Sequence, residues 1–107
     1  MIKIVTPNGV QTIDEAGVVI FSDLPEYANA PFIMHRCPED EDRVCITEPF
    51  TGRRMTDGSD IDEARSNLDR ALARIAPKDY VYRIKLFLKG QPPLNEIPEY
   101  SFHTEAA

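Results

Sequence analysis

The stretch DIDEARSNLDRALARIAP, residues 60–77, decides the fold. Ile61, Ala64, Leu68, Ala71, Leu72 and Ile75 fall at offsets 0, 3, 7, 10, 11 and 14, which is one face of an α-helix. Asp60 and Glu63 have the spacing of a capping box, Ser59 offers an alternative cap, and Pro77 sets the end, because the residue before a proline disfavours helical dihedrals. The pattern predicts one main amphipathic helix over about 60–76, whose apolar stripe needs a sheet to cover it.

Strand signals lie on both sides. Tyr80 to Leu88 alternates, which predicts a strand with Tyr80, Tyr82, Ile84, Leu86 and Leu88 on its core face. Upstream, Phe32–Cys37 and Arg43–Glu48 flank Pro38-Glu39-Asp40-Glu41-Asp42, a proline and four carboxylates that read as an exposed hairpin loop. Thr51-Gly52-Arg53-Arg54-Met55 then supplies a glycine turn and a short returning strand. Val18–Phe21 is a short β-branched run, expected to be a strand buried on both faces and central in the sheet. Pro25 to Pro31 has no periodicity and reads as a loop or single turn. Ile2–Val5 and Val10–Ile13 flank Thr6-Pro7-Asn8-Gly9 and form a hairpin.

The expected architecture is therefore α+β: a small, mostly antiparallel sheet of hairpins packed against one main helix. At 107 residues there is room for one core, placed in residues 1–90. After Gly90, Pro92, Pro93 and Pro98 predict an extended C-terminal arm, residues 91–107, with Leu94, Ile97, Tyr100 and Phe102 available to pin it to the body or to a partner.

With 42% hydrophobic and 28% charged residues the chain is globular rather than disordered. No stretch approaches the ~20 apolar residues that span a bilayer, and no basic region followed by an apolar run opens the chain, so a cytoplasmic protein that does not engage membranes is expected. The net charge of -6 lies in the first half: residues 1–50 carry 3 basic and 9 acidic side chains, residues 51–107 carry 9 of each. That balance repels nucleic-acid phosphate and disfavours direct DNA or RNA binding, while leaving a partner with a basic groove open.

Chemistry-bearing clusters are few. Cys37 and Cys45 are expected to be free thiols, since a secreted domain of this size usually carries a larger cysteine framework; a disulfide between them is the lesser possibility. His35 and Cys37 share a strand face, and a five-residue loop sets His35 opposite Cys45, whereas a four-residue loop sets Arg36 there. A zinc site on His35, Cys37 and Cys45 still lacks a fourth ligand, for which only His103 is obvious. Neither cysteine lies at a predicted helix N-terminus that would activate it for catalysis. In Asp57-Gly58-Ser59-Asp60-Ile61-Asp62-Glu63 the glycine is second, not sixth as an EF-hand loop requires, so capping explains these acids better. Arg53 and Arg54, with Arg65, Arg70 and Arg74, suggest a basic patch, but interleaved Asp62 and Asp69 favour a solvated helix face.

The run Val44 to Ala64 is similar to the strand, Thr-Gly turn, strand, Gly and capped helix of many small phage and bacterial proteins. Ser22-Asp23-Leu24-Pro25 and Gly58 to Ala64 resemble two fragments of HicB-type antitoxins, although about thirty residues separate them here and they lie close together in that family. In size, acidity and want of catalytic motifs the chain is similar to phage-encoded inhibitors of bacterial defence, including anti-CRISPR proteins. That likeness implies a non-enzymatic binding protein without cofactors, which inhibits a nucleic-acid-processing or immune effector. Its protein partner would be met by Glu39, Asp40, Glu41, Asp42, Arg53 and Arg54. The alternatives are a HicB-like antitoxin binding a small toxin, and a metal-binding or enzymatic protein using His35, Cys37 and Cys45.

Overall fold

Two antiparallel sheets and two helices build the fold in the computed structural model, which describes residues 1–97. Strands β1 (Ile2–Thr6) and β2 (Gly9–Ile13) form a ribbon that turns at Pro7-Asn8, with Gly9 at φ 107°, a value other residues rarely adopt. Strands β3 (Val18–Ile20), β4 (Phe32–Cys37), β5 (Asp40–Glu48) and β6 (Arg53–Gly58) form an antiparallel meander in that order. A short 3-10 turn, Pro25–Tyr27, lies between β3 and β4.

Strand alternation sorts side chains into two layers. Ile20, Phe32 and Ile46 face one side, where they join Ala64, Leu68, Leu72, Tyr80, Ile84 and Leu88 of the helices in the main core. Ile33 faces the other side and packs with Ile2 and Ile4 of the ribbon, forming a smaller core. The four-stranded sheet is thus covered by helices on one face and by a two-stranded ribbon on the other.

Helix α1 (Ile61–Leu72) begins as its sequence dictates: the Asp60 carboxylate accepts the Glu63 N–H at 2.8 Å, and Glu63 reaches back to the Ser59 N–H at 2.9 Å. Ahead of it, Gly58 lies so close to the helix that a Cβ there would sit 2.5 Å from the Ala64 nitrogen. Helix α1 ends at Leu72, short of 76, and of its expected stripe Ile61 is 51% exposed, while Ala64, Leu68 and Leu72 are buried. At the far end, the Asp69 carboxylate accepts the Ser22 hydroxyl at 2.5 Å and the Asp23 N–H at 3.2 Å, tying α1 to the end of β3.

Three expectations are corrected. The strand expected over Tyr80–Leu88 is instead part of a second helix, α2 (Pro77–Leu88), so the sheet does not rest on one main helix. Tyr80, Ile84 and Leu88 recur at intervals of four, and a period of two runs through the same residues; the intervening Tyr82 and Leu86 decide for a helix by being 63% and 58% exposed. Pro77 starts this helix at its first turn, where no N–H is needed, and left-handed Lys89 (φ 50°) followed by Gly90 (φ 81°) closes it. Strand β3 is not central: it pairs with β4 alone at the sheet edge, and Val18 and Val19 are 57% and 44% exposed. A β-branched run marks a strand, but its place in the sheet depends on distant neighbours.

Of the predicted arm, residues 91–97 run back along the body. The Leu94 N–H donates to the Phe50 carbonyl at 2.7 Å, and Ile97 packs against both cores. The Asn95 side chain accepts from the Lys3 N–H and donates to the Lys3 carbonyl, each at 2.8 Å, while the Val5 N–H donates to the Gly52 carbonyl at 2.8 Å, so groups from loops cover the outer edge of β1. Tyr100, Phe102 and His103 lie outside the described residues.

Candidate functional site

Strands β4 and β5 meet in a connection shorter than expected. Cys37 pairs with Asp40, so only Pro38 and Glu39 turn, and Asp40, Glu41 and Asp42 belong to the start of β5 rather than to a loop tip. The next pair is Arg36 with Val44. Glu41, Asp42 and Arg43 therefore have no residues opposite them and bulge from the strand. This bulge preserves the His35–Cys45 pairing of a five-residue loop while shortening the turn itself.

The same register places Cys37 diagonal to Cys45, and the two form a disulfide with Cα atoms 5.1 Å apart. The expected free thiols are corrected on this point: both sulfurs are bonded and buried. Bonded to each other, they are not thiolate ligands or nucleophiles, and His35 is also committed. Its Nδ1–H donates to the Arg36 carbonyl at 2.8 Å, which leaves Nε2 to accept the Thr47 hydroxyl at 2.6 Å.

A chain of ion pairs frames the turn. Arg54, on β6, engages Glu39 with both guanidinium arms, at 2.6 and 2.8 Å, and lies 3.5 Å from Asp57, which in turn accepts from Arg43 at 2.7 Å. The Arg54 hydrogen bond holds the Glu39 carboxyl below its ordinary pKa, and Asp57 holds Arg43 above its own. These groups are partly exposed, so each pair adds little stability, but the bidentate geometry fixes direction. Arg53, one residue along the strand, points the other way and lies over the Phe87 ring of α2, 4.1 Å from its centroid. Arg53 and Arg54 are thus committed to different places and do not form one patch. On α1, Arg65 donates to the Phe21 carbonyl at 3.2 Å and lies 3.8 Å from Asp23.

Of the candidate residues, the structure brings Glu39, Asp40, Glu41, Asp42 and Arg54 to one corner and leaves Arg53 apart. Asp40, Glu41 and Asp42 are exposed, and among the described residues none of the three makes an ion pair. Sequence reasoning missed Arg43 and Asp57 as the frame; Asp57 lies beyond the short returning strand expected up to Met55 and reads there as one of the acids ahead of the helix. It also missed Glu48, whose buried carboxylate accepts the Phe50 and Thr51 N–H groups at 2.6 and 2.7 Å and shapes the β5–β6 turn. Burial pushes the Glu48 pKa up, against the pull of those hydrogen bonds.

Two hollows open among the described residues. One, of about 560 Å³, lies between the ribbon and the sheet, with His35 and Thr47 along it and Glu39 and Arg54 at the acidic corner. The other, of about 600 Å³, runs between the 3-10 turn and α2 past Tyr27, Pro31, Tyr80 and Ile84. No described helix is long and apolar enough to cross a membrane. No protein-family model matches the chain, and no curated protein or solved structure matches it either.

Proposed function

We propose that the protein is a non-enzymatic binding module that uses its acidic corner to occupy the basic groove of a nucleic-acid-processing or immune effector, in the manner of an anti-CRISPR inhibitor. The observation that carries this reading is the contrast within one corner: Glu39 and Asp57 are neutralised by arginines, while Asp40, Glu41 and Asp42 project with no ion-pair partner among the described residues. Clustered like charges repel, and beyond the Asp42 N–H that the Asp40 carboxylate accepts at 3.0 Å they add little to the fold. A disulfide and a bidentate pair hold them in place, which lowers the ordering cost of binding a cationic surface. Carboxylates so placed offer the negative charge that Lys/Arg grooves attract, with direct nucleic-acid binding disfavoured by the same charge. The cytoplasmic setting belongs to this proposal too, but free thiols no longer support it.

The HicB-like antitoxin is the second reading. It is favoured by one observation: the helix that begins in its second fragment returns, at Arg65 and Asp69, to contact Ser22 and Asp23 of the first.

The test is capture from host extract by the wild-type chain and by an Asp40→Asn, Glu41→Gln, Asp42→Asn variant, followed by titration of the identified partner at low and high salt. A nucleic-acid-binding effector that loses affinity and salt dependence with the variant supports the proposal. Equal affinity and equal salt response for both chains would remove the acidic corner from the mechanism, and a small toxin as partner would favour the second reading.

A further inference from the structure

We propose that, once the Cys37–Cys45 bond is reduced, the two thiolates and the Glu39 carboxylate form a binding site for a thiophilic divalent cation, with zinc the best match. One ligand atom from each of the three residues lies within 4.8 Å of the other two. Zinc takes thiolate sulfur at about 2.3 Å and carboxylate oxygen at about 2.0–2.2 Å in a tetrahedron, so two sulfurs on one zinc stand about 3.8 Å apart. The Cα atoms of Cys37 and Cys45, 5.1 Å apart, leave room for the sulfurs to reach that separation by rotation about their Cα–Cβ bonds. The strands need not part.

Both cysteines are buried and Glu39 is exposed, which gives a dry floor and an open mouth, with water in the fourth position. Glu39 is already aimed. Arg54 grips its carboxylate at 2.6 and 2.8 Å, the kind of outer hydrogen bond that orients a metal-binding carboxylate. Charge also balances: two thiolates and one carboxylate are offset by a divalent cation and the Arg54 guanidinium.

A dithiol reductant supplies two electrons and two protons to the sulfur–sulfur bond and itself becomes a disulfide; the two thiols then release their protons to solvent as the cation binds. The cation joins β4 to β5 where the disulfide did. The acidic bulge is thereby clamped under reducing as well as oxidising conditions.

The test is titration with Co²⁺ of protein reduced by a phosphine, followed by competition with Zn²⁺. Expected are one Co²⁺ per chain, thiolate-to-metal charge transfer with tetrahedral d–d absorption, and displacement by Zn²⁺. The oxidised protein, Cys37→Ser and Cys45→Ser should give no such signal. Glu39→Gln should bind at least about tenfold more weakly, with the melting temperature of its oxidised form as the check on folding. If the reduced chain loses helical signal, its recovery with stoichiometric Zn²⁺ supports the site and failure to recover counts against it. Absence of the charge-transfer band in the reduced wild type, or a Glu39→Gln titration equal to wild type, would overturn the proposal. No partner is needed, so failure here leaves the acidic-corner reading untouched.

Discussion

Reduction of the Cys37–Cys45 bond in chelator-containing buffer should lower the stability of the fold by about 2.5 kcal/mol. The bond joins residues separated by 8 in sequence. For a loop of about that size the chain-entropy relation gives about -8.3 cal/mol/K, which at room temperature is about 2.5 kcal/mol returned to the unfolded chain. Unfolding entropy near 2.1 cal/mol/K per residue amounts to about 0.22 kcal/mol/K for a chain of 107 residues, so the melting temperature should fall by about 11 °C. The reduced chain stays folded, because a domain typically has about 5–15 kcal/mol to lose from. The assay is thermal denaturation followed by far-ultraviolet circular dichroism, with and without phosphine, with full reduction verified by mass. A Cys37→Ala, Cys45→Ala variant provides the second route and should be insensitive to reductant. A shift under about 3 °C after complete reduction would refute the claim that this bond closes a flexible loop of the unfolded chain.

Other outcomes follow from single contacts. Leu68→Asp places a carboxylate in the helix–sheet core and should cost several kcal/mol, read as a collapse of the urea midpoint; a wild-type midpoint would place α1 elsewhere. Gly58→Ala pushes a methyl group into the Ala64 backbone and should cost about 1–3 kcal/mol, against a change near zero if β6 and α1 were loosely joined. Glu48, with its pKa raised by burial, binds its proton more tightly folded than unfolded. Its contribution is therefore fully present below the ordinary carboxylate pKa and is lost as pH rises through the folded value. The stability difference between wild type and Glu48→Gln should shrink with pH across that window, and a flat difference would contradict the assignment.

What could be read from sequence was set by local rules. The Asp60 cap, the Pro7-Asn8 turn and the β4–β5 pairing each depend on residues a few positions apart, and each stands in the structure. Helix α2 reads as a strand in sequence because an apolar period of four contains a period of two, and the cue that separates them, left-handed closure at Lys89-Gly90, comes after the pattern. The edge position of β3 was hidden for a different reason, since Val18 and Val19 would suit a buried strand equally well. At the site, the carboxylates were legible as a cluster. Their frame was not, because Glu39–Arg54 joins the β4–β5 turn to β6 and Arg43–Asp57 joins β5 to β6, and the disulfide waited on a bulge that no local rule predicts.

The Asn95 clamp on Lys3 spans 92 positions and sets an order in time. At about 5–20 residues per second, a ribosome finishes both sheets and both helices when Leu88 is made, yet the Lys3 backbone groups still lack the amide that covers them. Until residue 95 follows, the Lys3 stretch of the outer edge of β1, next to the Val5 N–H that the Gly52 carbonyl covers, is available to a neighbouring chain. A stall or cut between 88 and 95 thus yields a chain that has both sheets and both helices but one uncovered stretch of strand edge, and such fragments should aggregate through the ribbon rather than through the helices.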